Sequence, residues 1–289
     1  MISFPDDPVC DLHVHSTRSD GTCTPSQIID LALKKGIRAI ALTDHDCVAG
    51  LPEFHACASG HRIETVSGIE LSTGLNGRDI HILGLFIDPD YTKFLDYLVT
   101  FRQSRDSRNI KMCDSLHEGL GMDISYEALK EMFPDAVITR GHFAKYMLKK
   151  GYIKSLREAF DRWIGDNGKY YIPRERITPE DGIALIRSAG GIPILAHPVL
   201  YGFSHQKLVS LVSHLKDSGL VGIEAVYTTY DPSDEREIRQ IASEYDLLLS
   251  GGSDFHGTNK VNTDLGTGRG NLHVPFEIYQ KLKEYHENN

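Results

Sequence analysis

No run of 18 apolar residues occurs in the chain, so no membrane-spanning helix is expected. The opening MISFPDDPVC has neither a basic start nor an apolar core, so no secretory signal is expected either. Cysteine is scarce: five residues (Cys10, Cys23, Cys47, Cys57 and Cys113), an odd number without a CxxC pair. That argues against a disulfide framework and a zinc ribbon and makes a reducing cytoplasm the expected setting. Basic surplus is absent too. Lysine and arginine number 31 against 40 acidic residues, a net charge of −9. A general binder of duplex nucleic acid needs the opposite balance. GTGRG at 266–270 lacks the GK[ST] ending of a phosphate-cradling P-loop and reads as a loop. There is no internal repeat and no low-complexity tract.

What remains is 289 residues of ordinary globular composition, 40% apolar, enough for one large α/β domain or two modest ones. The charge is uneven. Residues 91–176 carry a net +4, and the rest of the chain −13. An acidic scaffold with a basic segment suits metal binding beside a small anionic ligand, although solvated helix faces would give the same count.

Strand-like and helix-like segments alternate up to about residue 90. VCDLHVH (9–15), IRAIALTDH (37–45), RIETVSGIEL (62–71) and DIHILGLFI (79–87) read as strands. TPSQIIDLALKKG (24–36) reads as a helix, with Thr24 as N-cap, Pro25 in the first turn and Gly36 past its end. Alternation resumes at 178, with strands at 191–198, 219–227 and 247–256. This pattern predicts a parallel sheet or barrel. Between lie 80-odd residues with helical periodicity alone. The expected organisation is therefore a barrel from 1–90 and 177–289, interrupted by a helical insert at 91–176.

Histidine is abundant, at 14, and it is patterned. His13 and His15 share one face of a strand. His45, Glu70, His81, His197 and the pair Asp254/His256 each lie at or near the end of a further strand. Active sites of β/α barrels lie at the C-terminal strand ends. With Asp20 nearby, six imidazoles and three carboxylates are too many for one ion and suit two or three divalent ions. Mixed nitrogen and oxygen donors without thiolate leave Mn2+, Zn2+, Fe2+ and Mg2+ open.

DLHVHSTRSDGT, ALTDHD, GIEL, HILG, AHP and GGSDFHG together resemble the PHP (polymerase and histidinol phosphatase) family of metal-dependent phosphoesterases, over residues 11 to 257. The resemblance implies an α/β fold, a distorted (β/α)7 barrel with a trinuclear metal centre. It implies His13, His15, Asp20, His45, Glu70, His81, His197, Asp254 and His256 as ligands, with Glu70 bridging. The helical insert resembles that of the branch acting on nucleoside 3′,5′-bisphosphates, AMP-like nucleotides and short RNA ends. The implied activity is hydrolysis of phosphate monoesters by metal-activated water, on a small nucleotide or short RNA rather than a duplex or a membrane.

TRGHFA (139–144) resembles the family's GRPHLA-type motif, with Gly141 where proline is common. Arg140 is expected to grip phosphate as a planar fork. His142 is expected to donate to phosphate or protonate the leaving oxygen, a role equally open to His197 or a metal-bound water. In GDNGKYYIP (165–173), Lys169 is a candidate phosphate contact, and Tyr170 or Tyr171 a surface for base stacking. Arg18 is a further candidate contact. The plainer alternatives are that Arg140 and His142 open a surface helix and that 165–173 is a solvated turn. Histidinol-phosphate phosphatase, an amidohydrolase-like C–N or ester hydrolase, and a non-catalytic metal-stabilised module are the competing functions.

Overall fold

In the computed structural model, the described residues are 9–165, 167–173 and 176–289. Seven strands form one sheet in sequence order: β1 (Cys10–Asp11), β2 (Ala39–Leu42), β3 (Glu64–Leu75), β4 (Arg78–Leu85), β5 (Ile192–Leu195), β6 (Gly222–Tyr227) and β7 (Leu248–Gly252). The ends of the sheet meet. Leu12 N donates to Gly251 O at 3.1 Å, and Val14 bridges Phe255. The result is a nearly closed barrel. Alternation along the strands divides its packing: Ala39 and Ala41 join one apolar cluster, Ile40 and Leu42 another. The second cluster takes in α1 (Pro25–Lys35) and α2 (Leu51–Ala58). α7 (Pro179–Ser188), α8 (His205–Asp217) and α9 (Pro232–Glu244) continue this outer layer. α10 (Phe276–Asn288) adds Ile278, Tyr279 and Leu282 to the cluster of Ala39 and Ala41.

The helix signals act as read. Thr24 caps α1 in a reciprocal capping box with Gln27, and Gly36 ends it at φ 71°. The first strand is shorter than expected. Regular pairing covers only Cys10–Asp11; beyond it Leu12 bonds to Gly251 of β7, His13 and His15 to the segment after β7, and Val14 to Thr43 after β2.

One strand departs from the parallel expectation. β4 runs antiparallel to both β3 and β5. Leu75 pairs with Arg78 across a two-residue turn, with Asn76 at φ 50° and Gly77 at φ 79°. Such turns need positive φ at both central residues, which Asn-Gly tolerates.

Between β4 and α7 lie α3 (Thr92–Leu120), α4 (Tyr126–Met132), α5 (Arg140–Lys149), the single turn α6 (Leu156–Glu158) and a π-turn, Ala159–Ile164. They have their own apolar core, which includes Met112, Leu116, Leu129, Phe143, Met147 and Ile164. α3 serves both units, since Phe94 and Leu98 in its first turns belong to the barrel's core. No helix among the described residues is long and apolar enough to cross a membrane. The five cysteines are free thiols.

Candidate metal centre and the cavity beside it

The C-terminal rim of the barrel gathers the nine ionisable residues, by routes that differ from strand to strand. His13 and His15 follow β1. His45 follows β2 and bridges Glu70. Glu70 lies in the middle of the long β3, but β2 pairing ends at Ser67, so Glu70 stands at the rim. His81 lies in the first half of β4. It reaches the same rim because β4 runs the other way. His197 follows β5 at φ 30°, and Asp254 follows β7 at φ 53°. Non-glycine residues held in this region are a recurrent mark of functional sites.

Ligand atoms converge in four overlapping groups, each within 4.8 Å: His15, Asp20, His45 and His256; His13, His15 and Asp254; His13, Glu70 and His197; His45, Glu70 and His81. Glu70 belongs to two of them. Its Oε1 lies 2.7 Å from His81 Nδ1 and 2.9 Å from His197 Nε2, and its Oε2 lies 3.1 Å from His15 Nε2. Burial alone would raise the Glu70 carboxyl, but His45, His81 and His13 hold it well below the usual carboxylate range. Burial drives the His45 imidazole down to about 3. Against burial, Glu224, Asp254 and Glu70 raise the His13 imidazole well above its ordinary value, and Asp254 and Glu70 raise His15 to about 9; metal binding requires these imidazoles neutral.

The donors also fit metal by what they lack. His13 Nε2 and His15 Nε2 face each other at 3.1 Å in the fully buried centre. Asp20 Oδ1, His45 Nδ1 and His197 Nδ1 are buried without a hydrogen-bond partner among the described residues. Buried polar atoms are ordinarily paired. Divalent ions would satisfy these donors.

Supporting residues fix the ring. Glu224, fully buried on β6, was not singled out in the sequence. Its Oε1 lies 3.0 Å from His13 Nδ1, and its Oε2 accepts from His197 N at 2.7 Å. The TDHD run divides four tasks. Thr43 Oγ1 accepts from Val14 N at 3.0 Å. Asp44 accepts from Ser16 N and from the Ser16 and Ser19 hydroxyls, which fixes the loop leading to Asp20. His45 joins the centre, and Asp46 pairs with Arg105 and accepts from Ser72 N at 2.8 Å.

A cavity of about 200 Å3 opens beside Asp20, His45 and His81. Four arginines line it: Arg105, Arg108, Arg140 and Arg176. Arg140, singled out in the sequence, opens α5 and lines this cavity. Asp79, also lining, accepts from Arg140 Nη2 at 3.1 Å and pairs with Arg176. The sequence reading missed the other three arginines and Asp79.

Four expected contacts lie elsewhere. His142 is 2% exposed and does not line the cavity. Its Nδ1 accepts from Thr139 N at 2.9 Å, closing a capping box at the start of α5, and burial pushes its imidazole down to about 4. Arg18 turns to Glu53 at 3.2 Å and borders a different cavity. Lys169 lies over the Tyr170 ring, outside the arginine cavity. Tyr170 is buried in the insert core against Trp163. Tyr171 is closer to the site. Arg140 stacks on its ring at 5.2 Å, and its hydroxyl accepts from Arg176.

The PHP domain profile matches residues 11–172. The chain belongs to the PHP domain family. It is 34% identical over 246 residues to a 5′-3′ exoribonuclease of Haemophilus influenzae, covering 85% of this chain and 89% of that protein. It is 32% identical over 257 residues to a 3′,5′-nucleoside bisphosphate phosphatase of Chromobacterium violaceum, covering 89% and 90%. Among solved structures, an amidohydrolase from Chromobacterium violaceum with bound sulfate and no metal superposes with a TM-score of 0.84 at 30% identity, covering 95% of this chain and 96% of that one. A protein designated a metal-dependent phosphoesterase from Bifidobacterium adolescentis gives 0.82 at 25% identity, covering 97% and 96%. This PHP domain is thus an enzyme fold of the metal-dependent phosphoesterase class.

Proposed function

We propose that the chain hydrolyses phosphate esters of small nucleotides or short RNA ends at the barrel rim. The observation that carries this reading is the meeting of two donor sets. Nine imidazoles and carboxylates converge at the rim, and three of them, Asp20, His45 and His81, line one cavity with four arginines. His13, His15, Asp20, His45, Glu70, His81, His197, Asp254 and His256 would hold two or three divalent ions, with Glu70 shared. When bound, such ions supply Lewis acidity and make water a nucleophile at neutral pH.

The chain's own residues do the rest. The arginines offer planar forks to phosphate oxygens. Asp79 orients Arg140 and Arg176 before substrate arrives. The segment 91–176 acts as a cap that brings Arg105, Arg108, Arg140 and Arg176 over the barrel rim. Among the described residues lining the cavity, the imidazoles are His45 and His81, both in the ligand set. His142 Nδ1 is engaged in the helix cap, which leaves the protonation of the leaving oxygen to His142 Nε2, His197 or a metal-bound water. The names of the Haemophilus and Chromobacterium relatives support a nucleotide or RNA-end substrate. The five free thiols support a reducing, cytoplasmic setting.

Cleavage of a C–N or carboxylic ester bond draws support from the amidohydrolase designation of the sulfate-bound neighbour. The four arginines favour phosphate. A phosphate-release panel with Mn2+ decides the matter, comparing adenosine 3′,5′-bisphosphate, AMP, a short 5′-phosphorylated RNA and histidinol phosphate. The reading requires nucleotide or RNA cleavage. Histidinol phosphate cleaved at tenfold higher kcat/KM would overturn it.

A further inference from the structure

Phe160 is the one large apolar side chain among the described residues lining the arginine cavity, where the other rings are the His45 and His81 imidazoles. It is 38% exposed. It stands in the six-residue π-turn Ala159–Ile164, a local geometry that often accompanies functional sites. Within that turn the exposed side chains are Phe160, Asp161 and Arg162, and of these only Phe160 lines the arginine cavity. Ala159 and Ile164 are fully buried in the insert core.

The turn is held by the surrounding chain. Arg140 Nη1 donates to Ile164 O at 3.4 Å, so an arginine of the cavity also caps the turn. Tyr170 N donates to Trp163 O at 2.8 Å, and Lys169 N to Arg162 O at 3.2 Å. A Cβ on Gly165 would come within 2.2 Å of Phe160 O, so only glycine lets the chain pass that carbonyl so closely. These contacts fix the backbone that carries the Phe160 ring.

The two tyrosines suited to stacking by sequence are both covered, Tyr170 by the insert core and Tyr171 by the Arg140 guanidinium. An apolar ring at the edge of a strongly cationic cavity fits a ligand that is anionic at one end and flat and apolar at the other. We propose that Phe160 is the platform on which the substrate's nucleobase stacks while the arginines hold phosphate. Phe160 is then a specificity-determining residue, favouring nucleotides over phosphate esters that lack a base. This rests on the nucleotide reading above.

The competing apolar side chain is Leu200, 53% exposed in an adjoining cavity that shares Asp79 and His81 with the first. Leu200 has no π-face to offer a base.

The test is steady-state kinetics of metal-replete wild type, Phe160→Ala, Phe160→Tyr and Leu200→Ala, on adenosine 3′,5′-bisphosphate, AMP and ribose 5-phosphate. Stacking lost at one base corresponds to about tenfold or more. Phe160→Ala is expected to raise KM for the two nucleotides by that factor, with kcat changed much less. Its kinetics on ribose 5-phosphate stay at the wild-type level. Phe160→Tyr restores the nucleotide KM, and Leu200→Ala leaves it unchanged. Equal losses of Phe160→Ala on all three esters would mark a merely structural role and overturn the proposal. So would an unchanged nucleotide KM in Phe160→Ala, or a rise confined to Leu200→Ala. If wild type cleaves ribose 5-phosphate but neither nucleotide, the substrate reading falls and this inference with it.

Discussion

Asp79 accepts a hydrogen bond from Arg140 at 3.1 Å, and the same carboxylate pairs with Arg176. One acidic residue on β4, two positions before His81, thus holds two insert-side arginines next to the proposed metal ligands. A charge-assisted phosphate contact contributes roughly 1.5–3 kcal/mol, and more where water is excluded. Arg140→Ala is therefore expected to lower kcat/KM by about one to three orders of magnitude, with metal content unchanged. Asp79→Ala should raise KM through both arginines. Wild-type kinetics in Arg140→Ala would remove Arg140 from the substrate site.

Glu224 is expected to govern metal affinity without touching metal. It holds His13 through Nδ1 and anchors the His197 amide. Loss of such a supporting carboxylate typically weakens metal binding by about 10–100-fold. Glu224→Gln, titrated with Zn2+ or Mn2+ against a competing chelator, should show that loss. Unchanged affinity would mean that neighbouring packing alone fixes the two histidines.

His142 makes a prediction about pH. Its folded-state value lies near 4, against 6.5 for an ordinary imidazole. Between those values the unfolded chain takes up a proton that the folded chain refuses. Stability due to this ring is present above pH 6.5 and is lost as the pH falls towards 4. From pH 7.5 to pH 5 the loss amounts to about 2 kcal/mol. Urea unfolding of wild type and His142→Gln at the two pH values checks this. The variant keeps a cap acceptor without the titration, so its stability should fall less by about that amount. Parallel curves would contradict it.

Lys169 lies outside the arginine cavity, over the Tyr170 ring. Lys169→Ala should leave kcat/KM on nucleotides within about twofold, since an exposed charge this far from phosphate is well screened. Tyr170→Ala should instead destabilise the insert by about 3–5 kcal/mol, the usual cost of emptying a buried aromatic site. A large kinetic loss in Lys169→Ala would return that lysine to the substrate site.

Much of the scaffold could be read from residue spacing. Thr24, Pro25 and Gly36 mark a helix by local chemistry alone, and those signals survive in the fold. The strand-end histidines and carboxylates were visible because so many ionisable groups adjoin apolar strands. The Asn76-Gly77 hairpin was also legible, as an NG pair between two apolar runs, but strand–helix alternation elsewhere drew the reading towards a parallel sheet. Glu224 left a signal too: a lone acid inside GIEAVY must find a partner once buried. Apart from Arg140, the cavity arginines left none. Arg105 and Arg108 are three apart on a long helix and look like a solvated face. They are buried because the insert folds back over the barrel rim, a long-range event that no local pattern encodes. The place of His142 was hidden for a similar reason. Its ring serves the helix start, and a Thr-x-x-His cap is easily mistaken for a ligand motif.

Phosphate release from adenosine 3′,5′-bisphosphate tests the central claim most directly, with chelator-stripped protein titrated with Mn2+. The nine converging donors lead to negligible release without metal and a rise to a plateau at two to three equivalents per chain. Full activity in the stripped protein would contradict the account, as would a plateau at one equivalent or less, or no release at any Mn2+ concentration.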